Sequence, residues 1–322
     1  MQRLDAFMAQ ANAAYYANHD PFQDFTTAPE IAQMFGELLG AWAAVTWSQL
    51  GGPTPVHLVE AGPGRGTLMQ DALRAMSRVA PAFAAACQVH FIETSPRLRD
   101  QQHARVPQAQ WHETLETVPA GPAIVIANEF LDALPIRQFE RRQGAWAERY
   151  VADGAFRLYA TDMKLAPLED GSVLEYGEAA RAWVGALAAR LTRHGGAALI
   201  LDYGPARSGP GDSLQALRGG RPASPLADPG SADLTAHVDF QALAETARQA
   251  GAAPWGPLPQ GELLHRLGLR PRTERLAAAN PARAAALHDA AHRLAAPQRM
   301  GALFKALAIT QPTSQPPPAF ED

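Results

Sequence analysis

Cysteine is almost absent from this 322-residue chain. A single thiol, Cys87, closes no internal disulfide and excludes metal sites built on paired thiolates. Lying in an Ala-rich stretch, it reads as a buried thiol. Long apolar runs are missing too: none approaches the ~20 residues of a membrane-crossing helix. Asp5 interrupts the opening MQRLDAFMAQ where a secretory leader needs an unbroken apolar core. The expectation is a cytoplasmic protein without membrane insertion. There is no excess of positive charge either. Lys and Arg total 28 against 32 Asp and Glu, a formal net charge of -4, so nothing draws the whole chain to a phosphate backbone. The densest basic cluster, Arg137, Arg141, Arg142 and Arg149, is interleaved with Glu140 and Glu148 and reads as a solvated strand face. No nucleic-acid partner is expected. His19, His194 and His237 share no ligand spacing, and no metal is expected.

What is present is ample core material, with 47% hydrophobic and 19% charged residues. Residues 1–52 read as a helical cap. Leu4, Phe7, Met8, Ala11 and Tyr15 fall at helical spacing, and a second helix fits Pro29 to Leu50. Between them HDPFQDFTTAPE, His19 to Glu30, carries Phe22 and Phe25 and reads as an irregular segment packed over a site. From Val56 the texture becomes α/β. Short apolar runs at Val56–Glu60, Val89–Glu93, Ala109–His112 and Ile124–Asn128 alternate with helical stretches near Thr67–Val79 and Pro96–Arg105, as in a doubly wound parallel sheet. Residues 53–310 form this core, with insertions near 136–172, where Gln143-Gly144 and Asp153-Gly154 signal hairpins, and near 205–236. A helix is expected over Val173–His194, a strand over Ala197–Gly204, helices from Val238 to Ala296, and a last strand at Phe304–Thr310. Residues 311–322 read as a disordered tail.

Three segments carry chemistry. In VEAGPGRGTL, Glu60 ends a strand and Gly62, Gly64 and Gly66 precede a helix. Such a bend lets main-chain N–H groups approach a ligand. Thr67 spoils a nicotinamide fingerprint, whereas alternating glycines after an acidic residue suit S-adenosylmethionine. A bare strand-to-helix turn is the alternative. Glu93 ends the next strand, where an acidic side chain meets a ribose or, alternatively, caps the helix near Pro96. IVIANEFLDALP then sets Glu129 and Asp132 beyond Asn128 at the end of a central strand. A carboxylate pair there suits a cationic acceptor, which it can orient and deprotonate, although either residue can instead cap the following turn. Asp202 and Tyr203 end a later strand. His237 is a candidate proton acceptor or a cap for the helix near Val238.

Taken together, YYANHDPFQDFTTAPEIAQMFGELLG, VEAGPGRGTL, IANEFLDALPIRQF, DYG, GDSLQALR, PGSADLTAHVDF and RMGALFKALAI resemble the MidA-like S-adenosylmethionine-dependent methyltransferases, in order, from about Tyr15 to Ile309. The resemblance implies a class I methyltransferase fold with added helices. It also implies a protein-arginine substrate, since the family includes the assembly factor that methylates a respiratory complex I subunit. By position, Gly62, Gly64 and Gly66 would line the cofactor, with Glu60 preceding them. Glu93 would hold its ribose, Asp24 to Glu30 would lie over it, and Asn128, Glu129 and Asp132 would face the reacting centre. Two departures stand out: DPFQDF is shorter than the family's DPFG-x-x-GDF, and Gly220 and Ser224 stand where the family carries His and Asp. The alternative function is a binding or assembly protein of the same fold that has lost efficient catalysis.

Overall fold

Parallel sheets bury both faces of their strands, and the chain's most continuous apolar runs become such strands. In the computed structural model, which describes residues 1–24, 26–312 and 314–321, seven of them form one sheet. They are β1 (Val56–Ala61), β2 (Cys87–Ile92), β3 (Gln110–His112), β4 (Ala123–Asn128), β5 (Gly196–Tyr203), β6 (Ala253–Pro259) and β7 (Phe304–Thr310). Their spatial order is β6-β7-β5-β4-β1-β2-β3. β7 is antiparallel to both β5 and β6; the other pairings are parallel. The chain winds outward from β1 through β2 to β3, then returns to place β4 on the other side of β1. That reversal opens a crevice beyond the carboxyl ends of β1 and β4, the position where open α/β sheets bind ligands.

Helices α1 (Leu4–Asn18), α2 (Gln33–Gln49), α3 (Thr67–Val79), α4 (Pro96–Arg105), α5 (Glu178–His194) and α6 (Phe240–Gln249) divide between crevice and core: α1, α3, α4 and α5 place residues in the crevice wall, and α2 and α6 pack in the core layers. Alternate strand residues feed two core layers. Leu58, Ile124, Ile126 and Leu199 pack with Phe35, Trp42 and Leu68 on one face. Val59, Val125, Ala198 and Ile200 pack with Val184, Leu187 and Phe240 on the other. Outside this sheet stand a five-stranded antiparallel sheet, into which Gln2–Arg3 adds, and a three-stranded sheet within residues 215–235.

Several elements differ from the sequence reading. The helix expected over Pro29–Leu50 is broken at Ala32, which is extended between Ala28–Ile31 and α2. Val173–Tyr176 is a strand paired with Arg137–Arg142, so α5 starts at Glu178. β6 stands where short helices were expected. Its prolines are tolerated because it is an edge strand, and its pairing shifts register between Trp255 and Leu258. The basic strand face is solvated only in part: Arg142 is exposed, but Arg149 and Glu148 are buried, Arg137 pairs with Glu148 at 2.7 Å, and Arg149 pairs with Glu140 and Asp212 at 3.1 and 2.9 Å. The tail read as disordered packs on the core through Ala319 and Phe320, while Arg266 donates to the carbonyls of Ala319 and Glu321. Thr313 and Asp322, in that tail, lie outside the described residues, as does Phe25.

Candidate functional site

The crevice is a cavity of about 780 Å³, within the range of small-molecule sites. Glu60, Gly62, Gly64, Glu93, Asn128 and Glu129 line it together. Four other candidates do not. Gly66 sits behind the bend as the left-handed N-cap of α3, at φ 79°. Asp24 faces away, accepting from the Tyr15 hydroxyl and from Gly219 N. Asp132 is buried beneath the wall. His237 is exposed in a second cleft, its ring edge-on to Tyr203, and Asp239 rather than His237 caps α6 by accepting from Ala242 N at 3.0 Å.

The glycine bend works by a different means than expected. The Cβ positions of Gly62 and Gly64, both at positive φ, would fall 2.9 Å from the Phe130 ring and 2.7 Å from the Phe22 ring. The missing side chains therefore make room for two aromatic walls, and the cavity continues past them along Pro63, Arg65 and Thr67. Phe22 is itself held down: the Arg65 guanidinium lies 4.4 Å from its ring centre and 3.3 Å from Asp20. The two departures from the family pattern meet in space. Gly219 donates to Asp24, and a Cβ on Gly220 would lie 3.6 Å from the Asp24 carbonyl.

Glu93 has both roles considered from the sequence within reach. Its Oε1 accepts from Ser95 N at 2.8 Å, a local capping bond, while the carboxylate still lines the cavity. Gln102, invisible as a site residue in sequence because it is one of several polar residues on α4, bridges the Gly64 carbonyl at 2.7 Å and Glu93 Oε2 at 3.1 Å. It locks the glycine bend to the acidic strand end. Burial pushes the Glu93 carboxyl up, with the Ser95 and Gln102 bonds opposing.

Glu129 takes the left-handed conformation at φ 51°, a strain characteristic of functional positions. Its Oε1 accepts from Ala28 N at 2.9 Å and from Asn128 Nδ2 at 3.1 Å. Burial pushes its pKa up to about 7, against those two bonds. Asp132 is raised by burial and then by the Glu129 charge. The loop bearing both is pinned from behind by Asp202, whose Oδ2 accepts from the main-chain N–H groups of Phe130, Leu131 and Asp132 at 2.9 to 3.2 Å. Nearby Asp233 is pushed up to about 7 by burial and then by Asp132. None of the ion pairs among the described residues reaches Glu129, Asp132, Asp202 or Asp233. A cavity wall with unpaired buried acids attracts a cation.

The lining also suits an amphipathic ligand. Ile92, Leu115, Phe130, Leu134 and Trp183 supply apolar surface, with Phe130 and Trp183 edge to face at 5.1 Å. Glu60 Oε2 and Asn128 Oδ1 are buried acceptors with no hydrogen-bond partner among the described residues. Such orphans call for donors from a ligand, as an ammonium or hydroxyl provides. An adenosyl amino acid has an aromatic base, a ribose and an ammonium in one molecule, and the wall residues fit it. The described residues contain no helix long and apolar enough to cross a membrane.

Known proteins resemble this chain in sequence and in fold. Residues 38–258 match the family model described as "Putative S-adenosyl-L-methionine-dependent methyltransferase". The mitochondrial protein arginine methyltransferase NDUFAF7 homolog of Drosophila melanogaster is 35% identical, over 94% of this chain and 79% of its own. The Danio rerio protein of that name is 32% identical, over 92% and 79%. A Burkholderia thailandensis crystal structure bound to S-adenosyl-homocysteine superposes with TM-score 0.82 at 24% identity, covering 99% of this chain and 90% of that one. A native crystal structure from the same organism gives 0.83 at 25%, covering 99% and 89%. These relatives overturn the expected cytoplasmic location, because they are named as mitochondrial proteins. A lone thiol and a mild negative charge do not discriminate between compartments.

Proposed function

Because the chain belongs to this family of S-adenosyl-L-methionine-dependent methyltransferases, we propose that it transfers a methyl group to an arginine side chain of a partner protein, with the cavity beyond β1 and β4 as its active site. The curated relatives are named protein arginine methyltransferases. A subunit of respiratory complex I, as the family resemblance implies, is the first partner to test.

The donor, when bound, supplies a methyl group already activated on a sulfonium. The chain's residues do the rest. Glu93 would hold the ribose hydroxyls, Glu60 and Asn128 would offer acceptors to the amino-acid end, and the bend at Gly62 and Gly64 shapes the floor. Residues 1–52 cap the core and, through Pro21, Phe22, Thr27, Pro29 and Glu30, cover the site. Glu129, with Asp132 behind it, would grip the guanidinium, turn one nitrogen toward the methyl group and accept the proton lost from that nitrogen as its bond to the methyl carbon forms and the carbon–sulfur bond breaks, leaving S-adenosyl-homocysteine. His237 would serve in proton removal only from the neighbouring cleft.

The observation that carries this reading is the Glu129 carboxylate, raised to about 7 at the cavity wall with no ion-pair partner among the described residues. It is poised to hold a cation and take a proton near neutral pH. The test is a proteome-wide comparison of methylarginine by mass spectrometry with and without the gene. Loss of methylation at one or a few arginines is expected. An unchanged methylarginine inventory would favour the binding or assembly reading.

A further inference from the structure

Within ADLTAHVDF, Asp233 has no assigned role, yet it is 4% exposed and holds a residue of the cavity wall. Its Oδ1 accepts from the Tyr16 hydroxyl at 2.8 Å. Tyr16 lines the cavity from α1 with Asn12, Ala13 and Ala17, on one helical face. Two anchors fix where its ring lies. At the main-chain end, the Tyr16 carbonyl accepts from Ser95 Oγ at 3.1 Å, on the shoulder that carries Glu93. At the other end, the hydroxyl reaches Asp233 among the buried acids, where Asp132 is the next charge felt by Tyr16. Tyr16 thus bridges the shoulder that carries Glu93 and the cluster of buried carboxyls. One turn earlier Asn12 secures the helix, donating to the carbonyls of Ala133 and Leu234 at 2.9 and 2.8 Å and accepting from Leu234 N at 3.1 Å.

We infer that Tyr16, positioned by Asp233, receives the acceptor side chain: its ring face stacks on the planar guanidinium while Glu129 binds the edge. This rests on the proposed arginine substrate. A phenol that donates to a carboxylate gains electron density in the ring, and a desolvated aromatic face binds a delocalised planar cation well. Asp233 acts through Tyr16 and is a positioning residue.

The test uses the full chain saturated with S-adenosyl-homocysteine and follows the binding of N-acetyl-L-arginine amide by calorimetry, with the lysine analogue as the non-planar control. Tyr16→Leu is expected to weaken the arginine probe about tenfold and to abolish its advantage over the lysine probe. Tyr16→Phe, which keeps the ring, and Asp233→Asn, which keeps an acceptor for the hydroxyl, should each cost only about twofold to threefold. Affinity for S-adenosyl-homocysteine should stay within about twofold of wild type in all three, which also reports folding. Wild-type probe binding in Tyr16→Leu overturns the inference. So does a parallel loss of probe and S-adenosyl-homocysteine in Tyr16→Phe, which would make Tyr16 a structural prop. If the wild-type protein binds S-adenosyl-homocysteine but neither probe, the arginine reading fails and the inference fails with it.

Discussion

At the scale of single residues, function opposes stability. The Glu129 carboxyl is raised to about 7 by burial, so folding favours its neutral form. A raised group stabilises the fold fully below its unfolded pKa and loses that contribution as pH climbs through the folded value. Wild-type stability should therefore decline between about pH 4.5 and pH 7.5 at this position. Glu129→Gln removes the titration and should be about 2 kcal/mol more stable than wild type at pH 8, read by urea unfolding at pH 5 and pH 8. A constant difference between the two pH values would contradict the assignment. Gly64 works in the other direction. Its positive φ and the Phe22 ring 2.7 Å from its Cβ position leave no place for a side chain. Gly64→Val should reduce S-adenosyl-homocysteine affinity by more than about 100-fold while costing about 1–2 kcal/mol of stability. Unchanged affinity by calorimetry would show that the bend does not meet the ligand.

At the scale of elements, the strands around the site were legible because buried parallel strands are continuous apolar runs, as in VHLVEA and AIVIAN. Glu93, Asn128 and Glu129 could be placed because each ends such a run. Asp24 and His237 could not, since both lie on irregular segments whose side-chain directions depend on distant partners, Gly219 and Tyr203. Tyr16 was hidden for a related reason: in a helix with apolar spacing, nothing local marks the residue that meets a cavity. The strands also carry a feature no motif announces. His57, His90 and His112 link β1, β2 and β3 through ring nitrogens 2.9 Å apart. Burial, with His57 and His112 nearby, lowers His90 to about 4. A depressed histidine contributes stability above its unfolded pKa of about 6.5 and loses it as the pH falls toward the folded value. The stability advantage of wild type over His90→Gln should shrink by about 2–3 kcal/mol between pH 7 and pH 4, by chemical denaturation. An advantage independent of pH would mean that the chain of imidazoles does not titrate as a buried unit.

At the scale of the whole molecule, the sheet order sets the site. The reversal between β1 and β4 brings Gly62, Glu93 and Glu129 to one crevice from separate strand ends. The sequence foretold that crevice, but not the pairing of β6 with β7 at the far edge, where the prolines read as breakers, nor the packing of the tail. Phe320 is buried against the core that carries β7. Deleting residues 315–322 should lower stability by about 2–3 kcal/mol and leave S-adenosyl-homocysteine affinity near wild type, because the tail packs away from the crevice; a thermal shift with calorimetry would show this, and a lost affinity would contradict it. The crevice is proposed to move a methyl group onto arginine through Glu129. The most direct test is to incubate the protein with methyl-labelled S-adenosyl-L-methionine and an extract from cells lacking the gene, then hydrolyse the product and identify the labelled amino acid. Labelled methylarginine is expected with the wild-type protein, appearing at least about 100-fold more slowly with Glu129→Gln. Label on another amino acid, or equal rates for the two proteins, would contradict it.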